Sequence, residues 1–120
     1  MSKTILITDD DTFLTAMYTQ QLEKQGWKVE VAGDGEQSIQ MMDRHQPDLM
    51  VLDLLMPKRD GFSVLKHVRQ KQYTFPVLIL TNVRQPLDRE RCLKLGATDF
   101  LTKSDTDVTE LMKKIRKHLK

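Results

Sequence analysis

The sequence predicts an α/β domain on a five-stranded parallel sheet, doubly wound in the strand order 2-1-3-4-5 and covered by helices on both faces. Three observations lead to it. Short apolar runs alternate with helix-spaced patterns five times along the chain. The interior runs, "DLMVLD" and "PVLILT", are apolar almost throughout, as strands buried on both faces are. The length of 120 residues also suits one such unit, because single domains run to about 100–150 residues. Residues 1–120 are therefore read as one domain.

The elements follow in order. "KTILIT" (3–8) is β-branched and forms the first strand. Phe13, Leu14, Met17, Tyr18 and Leu22 then fall at helix spacing until Gly26 stops the helix. "KVEVA" (28–32) alternates, as an edge strand with one wetter face does. "GDGEQSIQMMDRH" is a turn and a short helix through Ile39 and Met42, ended before Pro47. "DLMVLD" (48–53) is the third strand. "GFSVLKHVRQ" sets Phe62, Val64, Leu65 and Val68 on a helix, and "PVLILT" (76–81) is the fourth strand. "LDRERCLKLG" places Leu87, the Arg91 stem, Cys92 and Leu95 on a helix closed by Gly96. "TDFLT" (98–102) is the last strand. Val108, Leu111, Met112, Ile115 and Leu119 form the last helix stripe.

Composition narrows the function classes. Hydrophobic content of 39% with 30% charged residues is ordinary for a globular chain. The longest apolar runs are strand-length, and Met1-Ser2-Lys3 leads into no signal-peptide core, so neither a membrane span nor a leader is expected. A single cysteine, Cys92, cannot close an internal disulfide, which suits a reducing cytosol. The net charge of +2 is too small to imply nucleic-acid binding.

In doubly wound sheets ligands bind beyond the carboxyl ends of the strands, where the strand order reverses. That point lies between strands 1 and 3. Strand 1 runs into Asp9, Asp10 and Asp11, strand 3 into Asp53, strand 4 into Thr81, and strand 5 into Lys103. Three neighbouring carboxylates repel unless a cation intervenes. Oxygen ligands without imidazole or thiolate suit Mg²⁺ or Mn²⁺. Asp53, at the end of an apolar strand, needs such compensation, and the Lys103 ammonium supplies more. A carboxylate, a divalent ion, an ammonium and a hydroxyl together suit phosphoryl transfer. Asp53 would attack, while the metal, Lys103 and Thr81 with a backbone N–H would each take one phosphoryl oxygen.

The motifs "ILITDDD", "PDLMVLDLLMPKRDGF", "PVLILT" and "GATDFLTKS" stand in this order over nearly the whole chain. In them the sequence resembles the receiver domain of two-component response regulators. The resemblance implies a flavodoxin-like three-layer sandwich with Asp53 as phosphoacceptor. It implies that Asp10, Asp9 through water, and the Leu55 backbone carbonyl hold Mg²⁺. Thr81 and Lys103 would contact the phosphoryl group, and Phe100 would change rotamer on activation. A histidine kinase or phosphotransfer protein would be the donor, with the domain catalysing its own phosphorylation and dephosphorylation. A downstream protein or an output domain would read the face made by strands and helices 4 and 5. The expected location is the cytoplasm, with no direct nucleic-acid or membrane contact. The chain ends with its last helix, so no output domain is expected within it.

Four positions depart from the family pattern. Ser104 stands where a proline with a preceding cis bond is usual, and a non-proline cis bond costs about 2.5–4 kcal/mol; either that strain or a different loop is expected. Asn82 replaces a small residue after Thr81, crowding the path of Phe100. Leu55 and Val83 are apolar where many relatives are polar, flanking the route of a hydrolytic water.

Plainer readings exist for some of these residues. Asp11 is expected only to cap the first helix, and the seven methionines to fill the core. His45, His67 and His118 receive no role. In the last helix, Asp105, Asp107 and Glu110 near the start and Lys113 to Lys120 near the end complement the helix dipole. The competing functions are a phosphate-independent interaction module and an aspartyl-phosphate hydrolase. The hydrolase scheme would need its nucleophile after strand 1 and a substrate cap.

Overall fold

The computed structural model describes residues 2–83 and 85–119; Met1 and Lys120, both named above, lie outside the described residues. In chain order the elements are β1 Thr4–Thr8, α1 Thr12–Glu23, β2 Lys28–Ala32, α2 Gly35–Arg44, β3 Leu49–Leu52, α3 Gly61–Gln70, β4 Val77–Thr81, α4 Pro86–Lys94, β5 Asp99–Thr102, a 3-10 turn Lys103–Asp105 and α5 Val108–His118. The sheet order is β2-β1-β3-β4-β5, and each neighbouring pair is parallel. The expected topology is the observed one.

Strand alternation sends the apolar side chains to two separate cores. On one face Leu6, Met50, Leu52, Ile79 and Phe100 pack against α2, α3 and α4 through Ile39, Met42, Val64, Leu65, Val68 and Cys92. On the other face Ile5, Ile7, Leu49, Val51, Leu78 and Leu80 pack against α1 and α5 through Tyr18, Leu22, Leu111 and Ile115. The result is three layers. Four helices begin at an aspartate whose carboxylate accepts a backbone N–H three residues on: Asp11 from Leu14, Asp34 from Gln37, Asp60 from Ser63 and Asp107 from Glu110. Asp11 is the cap it was expected to be. Gly26 and Gly96 follow α1 and α4 with φ of 90° and 99°, which accounts for glycine at both stops.

Two expected stripes are corrected. Phe13 is 90% exposed and Met17 43% exposed, although both were placed on the buried stripe of the first helix. Two parallel stripes run along α1, one through 13 and 17 and one through 14, 18 and 22. Only the second can face the sheet. Leu87 is 76% exposed, while Cys92 is the buried residue of α4. At 3.6 residues per turn Leu87 lies about 140° around the helix from Cys92, outside the arc that meets the core. The Arg91 guanidinium likewise lies outside, 4.0 Å from the centre of the Phe62 ring.

An acid-sensitive contact ties α5 to β5. The Asp99 carboxylate has Lys114 Nζ and His118 Nε2 each 3.5 Å from one oxygen and accepts the Phe100 N–H at 2.8 Å with the other. Burial works against the carboxylate, but the Phe100 N–H, the Lys114 ammonium and the hydrogen bond from His118 outweigh it and hold its pKa below the usual value. A depressed folded pKa gives stability that is present above the unfolded value and lost as pH falls through the folded one. Asp99→Asn is therefore expected to melt at a temperature that falls less steeply than wild type on acidification below about pH 4, measured by circular dichroism.

Candidate functional site

Parallel register builds the site. β1 and β3 pair through Thr8↔Leu52, so Asp9 and Asp53 are the next residues out on neighbouring strands. The Asp53 N–H donates to the Thr8 carbonyl at 3.0 Å, and the Asp9 N–H to that of Ala32 at 3.0 Å. Both acids are thus fixed to the sheet by backbone bonds and are 6% and 4% exposed for Asp53 and Asp9. β5 lies beyond β4, yet its following residue sends an ammonium back across the edge. Lys103 Nζ stands 2.9 Å from Asp53 Oδ2 and 2.6 Å from Asp9 Oδ2.

Asp10 is exposed but turns to the same place, as expected where the chain leaves the sheet. One carboxylate oxygen each from Asp9, Asp10 and Asp53 all lie within 4.8 Å of one another. The donor set is three hard oxygens, which fits Mg²⁺ or Mn²⁺. Leu55 lies two residues past Asp53 with its side chain 64% exposed, and its N–H faces Asp53 Oδ1 at 3.4 Å. Thr81, at the end of β4, is fully buried, and the Val83 N–H lies 3.4 Å from its hydroxyl oxygen. Phe100 is 7% exposed and turned into the core beneath α4; the Arg89 guanidinium lies 5.9 Å from its ring centre and donates to its carbonyl.

The charges are balanced by position. Burial raises the Asp9 pKa, and the nearby Asp53 charge adds to this; the Lys103 ammonium and the Asp11 N–H pull it down without cancelling the rise. Burial disfavours the Lys103 ammonium, but the two carboxylates more than compensate and raise its pKa. The direct Asp9–Lys103 pair was not foreseen, since Lys103 was paired only with Asp53. Its signal was weak: three successive aspartates do not reveal which one the sheet will bury.

Loop chemistry brings α3 close. Gly61 starts it, and its N–H donates to the Leu54 carbonyl at 3.0 Å. A Cβ there would collide with the Asp53 carbonyl oxygen and lie 2.7 Å from Leu54 Cα. The close approach of helix and site thus requires glycine. Gly61→Ala is expected to destabilise the fold by about 2–3 kcal/mol through overpacking against backbone, read as a lower urea midpoint at unchanged slope.

After β5 the loop differs from the family's cis-proline form. No cis peptide bond occurs among the described residues, so Lys103–Ser104 is trans and opens the 3-10 turn. The ammonium still reaches both acids. Asn82, expected to crowd Phe100, instead accepts the Ser104 N–H through Oδ1 at 3.1 Å.

The model of the response regulator receiver domain matches residues 5–116. The chain is 45% identical over 112 residues to the transcriptional regulatory protein CpxR of Escherichia coli (strain K12), covering 93% of this chain and 47% of that one. It is 40% identical over 103 residues to the alkaline phosphatase synthesis transcriptional regulatory protein PhoP of Bacillus subtilis (strain 168), covering 86% and 43%. The chain thus spans less than half the length of these curated relatives. Among solved structures, the receiver domain of the Francisella response regulator 1452 superposes with a TM-score of 0.89 at 30% identity, covering 96% of this chain and 94% of that one. The Vibrio cholerae chemotaxis protein CheY4 superposes at 0.90 with 28% identity, covering 99% and 100%.

Proposed function

The chain belongs to the receiver domain family of two-component response regulators, and on that premise we propose that it is a phosphorylation-activated switch with Asp53 as acceptor. The observation that carries the reading is the single ammonium of Lys103 bridging buried Asp9 and Asp53 at the strand ends where the order reverses.

An Asp53 carboxylate oxygen attacks phosphorus in line. The new P–O bond forms as the bond to the donor breaks, and the leaving imidazole or carboxylate takes the electron pair. Lys103 offsets the charge on one equatorial oxygen, and the Thr81 hydroxyl with a neighbouring backbone N–H offsets another. Mg²⁺ or Mn²⁺, held by Asp9, Asp10, Asp53 and the Leu55 carbonyl, supplies charge neutralisation there when bound. Because Asp53 and Asp9 are held by strand bonds, their orientation costs little at the moment of reaction.

Thr81 turning toward the phosphoryl group vacates space at the end of β4, into which Phe100 moves. One local charge event thereby biases a two-state element. The altered face, β4 and β5 with α4 and α5, is read by a downstream partner or an output domain of the same protein. The donor is a histidine kinase or phosphotransfer protein.

Incubation with acetyl phosphate and Mg²⁺, followed by intact-mass measurement, tests the reading. A switch gains one acid-labile phosphoryl group. Continuous phosphate release without an accumulating adduct would indicate a hydrolase, and no reaction an interaction module. The exposed Leu55 side chain and the half-buried Val83 flank the adduct and disfavour an ordered attacking water. Leu55→Asn is expected to shorten the half-life of the adduct severalfold, measured by its decay after donor removal; an unchanged half-life removes Leu55 from this role.

A further inference from the structure

The strand ladder between β4 and β5 ends at Thr81↔Thr102, so Asn82 and Lys103 are the next residues out. Beyond that point the chain after β5 folds into its 3-10 turn, in which the Thr106 N–H reaches the Lys103 carbonyl at 3.3 Å. The Ser104 N–H points the other way, across to Asn82 Oδ1 at 3.1 Å. The bond thus joins the residue after Thr81 to the residue after Lys103. A proline at 104 would have no N–H to offer, and a small residue at 82 no oxygen to take it. The two departures from the family pattern form one pair.

We infer that Asn82 is a positioning residue for Lys103: its side-chain oxygen clamps the Ser104 backbone, so that a trans loop delivers the ammonium onto Asp9 and Asp53. This deepens the proposed function, since it rests on Lys103 acting at the phosphoryl group. The lysine stem is long and rotatable, and its ammonium meets two acids at 2.6 and 2.9 Å. Such placement requires a backbone origin that does not wander. The clamp also couples the loop after β4 to the loop after β5, so a Thr81 movement is felt at residue 104.

The test combines amide hydrogen exchange with phosphorylation by acetyl phosphate at saturating Mg²⁺, in wild type, Asn82→Ala, Ser104→Pro and the double variant. Solvent reaches this bond, so the effects are moderate. Asn82→Ala is expected to speed exchange of the Ser104 amide about three- to tenfold, leaving the Leu78 and Ile79 amides unchanged, and to slow phosphorylation by a similar factor. Asn82→Asp, which keeps an acceptor oxygen, is expected to retain Ser104 protection. In the Ser104→Pro background, Asn82→Ala is expected to slow phosphorylation no further, the non-additivity of residues acting as one unit. Unchanged Ser104 exchange in Asn82→Ala, or equal slowing in both backgrounds, overturns the clamp. A wild-type chain that takes no phosphoryl group overturns the proposed function instead, and exchange at Ser104 then still decides whether the clamp exists.

Discussion

Asp53→Asn is expected to gain no phosphoryl group from acetyl phosphate and Mg²⁺ under conditions that label every wild-type chain, as read by intact mass. The amide keeps the shape of the carboxylate but presents no anionic oxygen to phosphorus, so the loss is complete rather than partial. Stability is expected to move the opposite way or not at all. Asp53 is 6% exposed and lies with Asp9 in one acidic group, so a neutral isostere removes a repulsion. Asp9 keeps Lys103 at 2.6 Å. A melting temperature at or above that of wild type in chelator, together with abolished labelling, separates a chemical role from a structural one. Labelling that persists in this variant would place the acceptor elsewhere.

Lys103→Met carries the second large effect and differs in kind, because it is expected to damage both chemistry and fold. Removing the ammonium leaves two buried carboxylates facing each other. Breaking a buried pair costs about 3–5 kcal/mol when one charge is left uncompensated. Water reaching the group beside exposed Asp10 reduces this to about 2–4 kcal/mol. For a chain of this size that is a fall of roughly 10 °C in melting temperature, measured in chelator. Millimolar Mg²⁺ is expected to recover part of the loss, since a cation that binds only the folded acids stabilises by mass action. Phosphorylation at saturating Mg²⁺ is expected to slow by about 10²- to 10³-fold, the usual cost of one lost charge-stabilising donor. If the fold loses nothing in chelator, the bridge between Asp9 and Asp53 contributes no stability and the electrostatic account of the site is wrong.

Parts of the site were legible beforehand. The acid ending an apolar strand marked Asp53, because a carboxylate there has no cheap structural explanation. Asp10, Thr81 and Lys103 were legible as strand-end residues once the order 2-1-3-4-5 was in hand. Asp9 was legible only as one of three acids. Its burial follows from the backbone bond to Ala32 and the register against β3, which link residues far apart in the chain. Ser104 marked a loop that had to depart from the proline form. What replaced the proline, an amide oxygen 22 positions earlier in sequence, was not visible.

By itself the sequence determined where strands and helices form, which strands lie inside, and which edge collects the acids. Each of these follows from local periodicity, capping residues and turn residues within a few positions of one another. The tertiary structure decided which of two adjacent stripes on α1 meets the sheet, leaving Phe13 outside, and which aspartate shares the lysine with Asp53. Those outcomes depend on register and packing between segments distant in the chain, where a rotation of one residue or a shift of a few ångströms reverses the result and no local pattern records it.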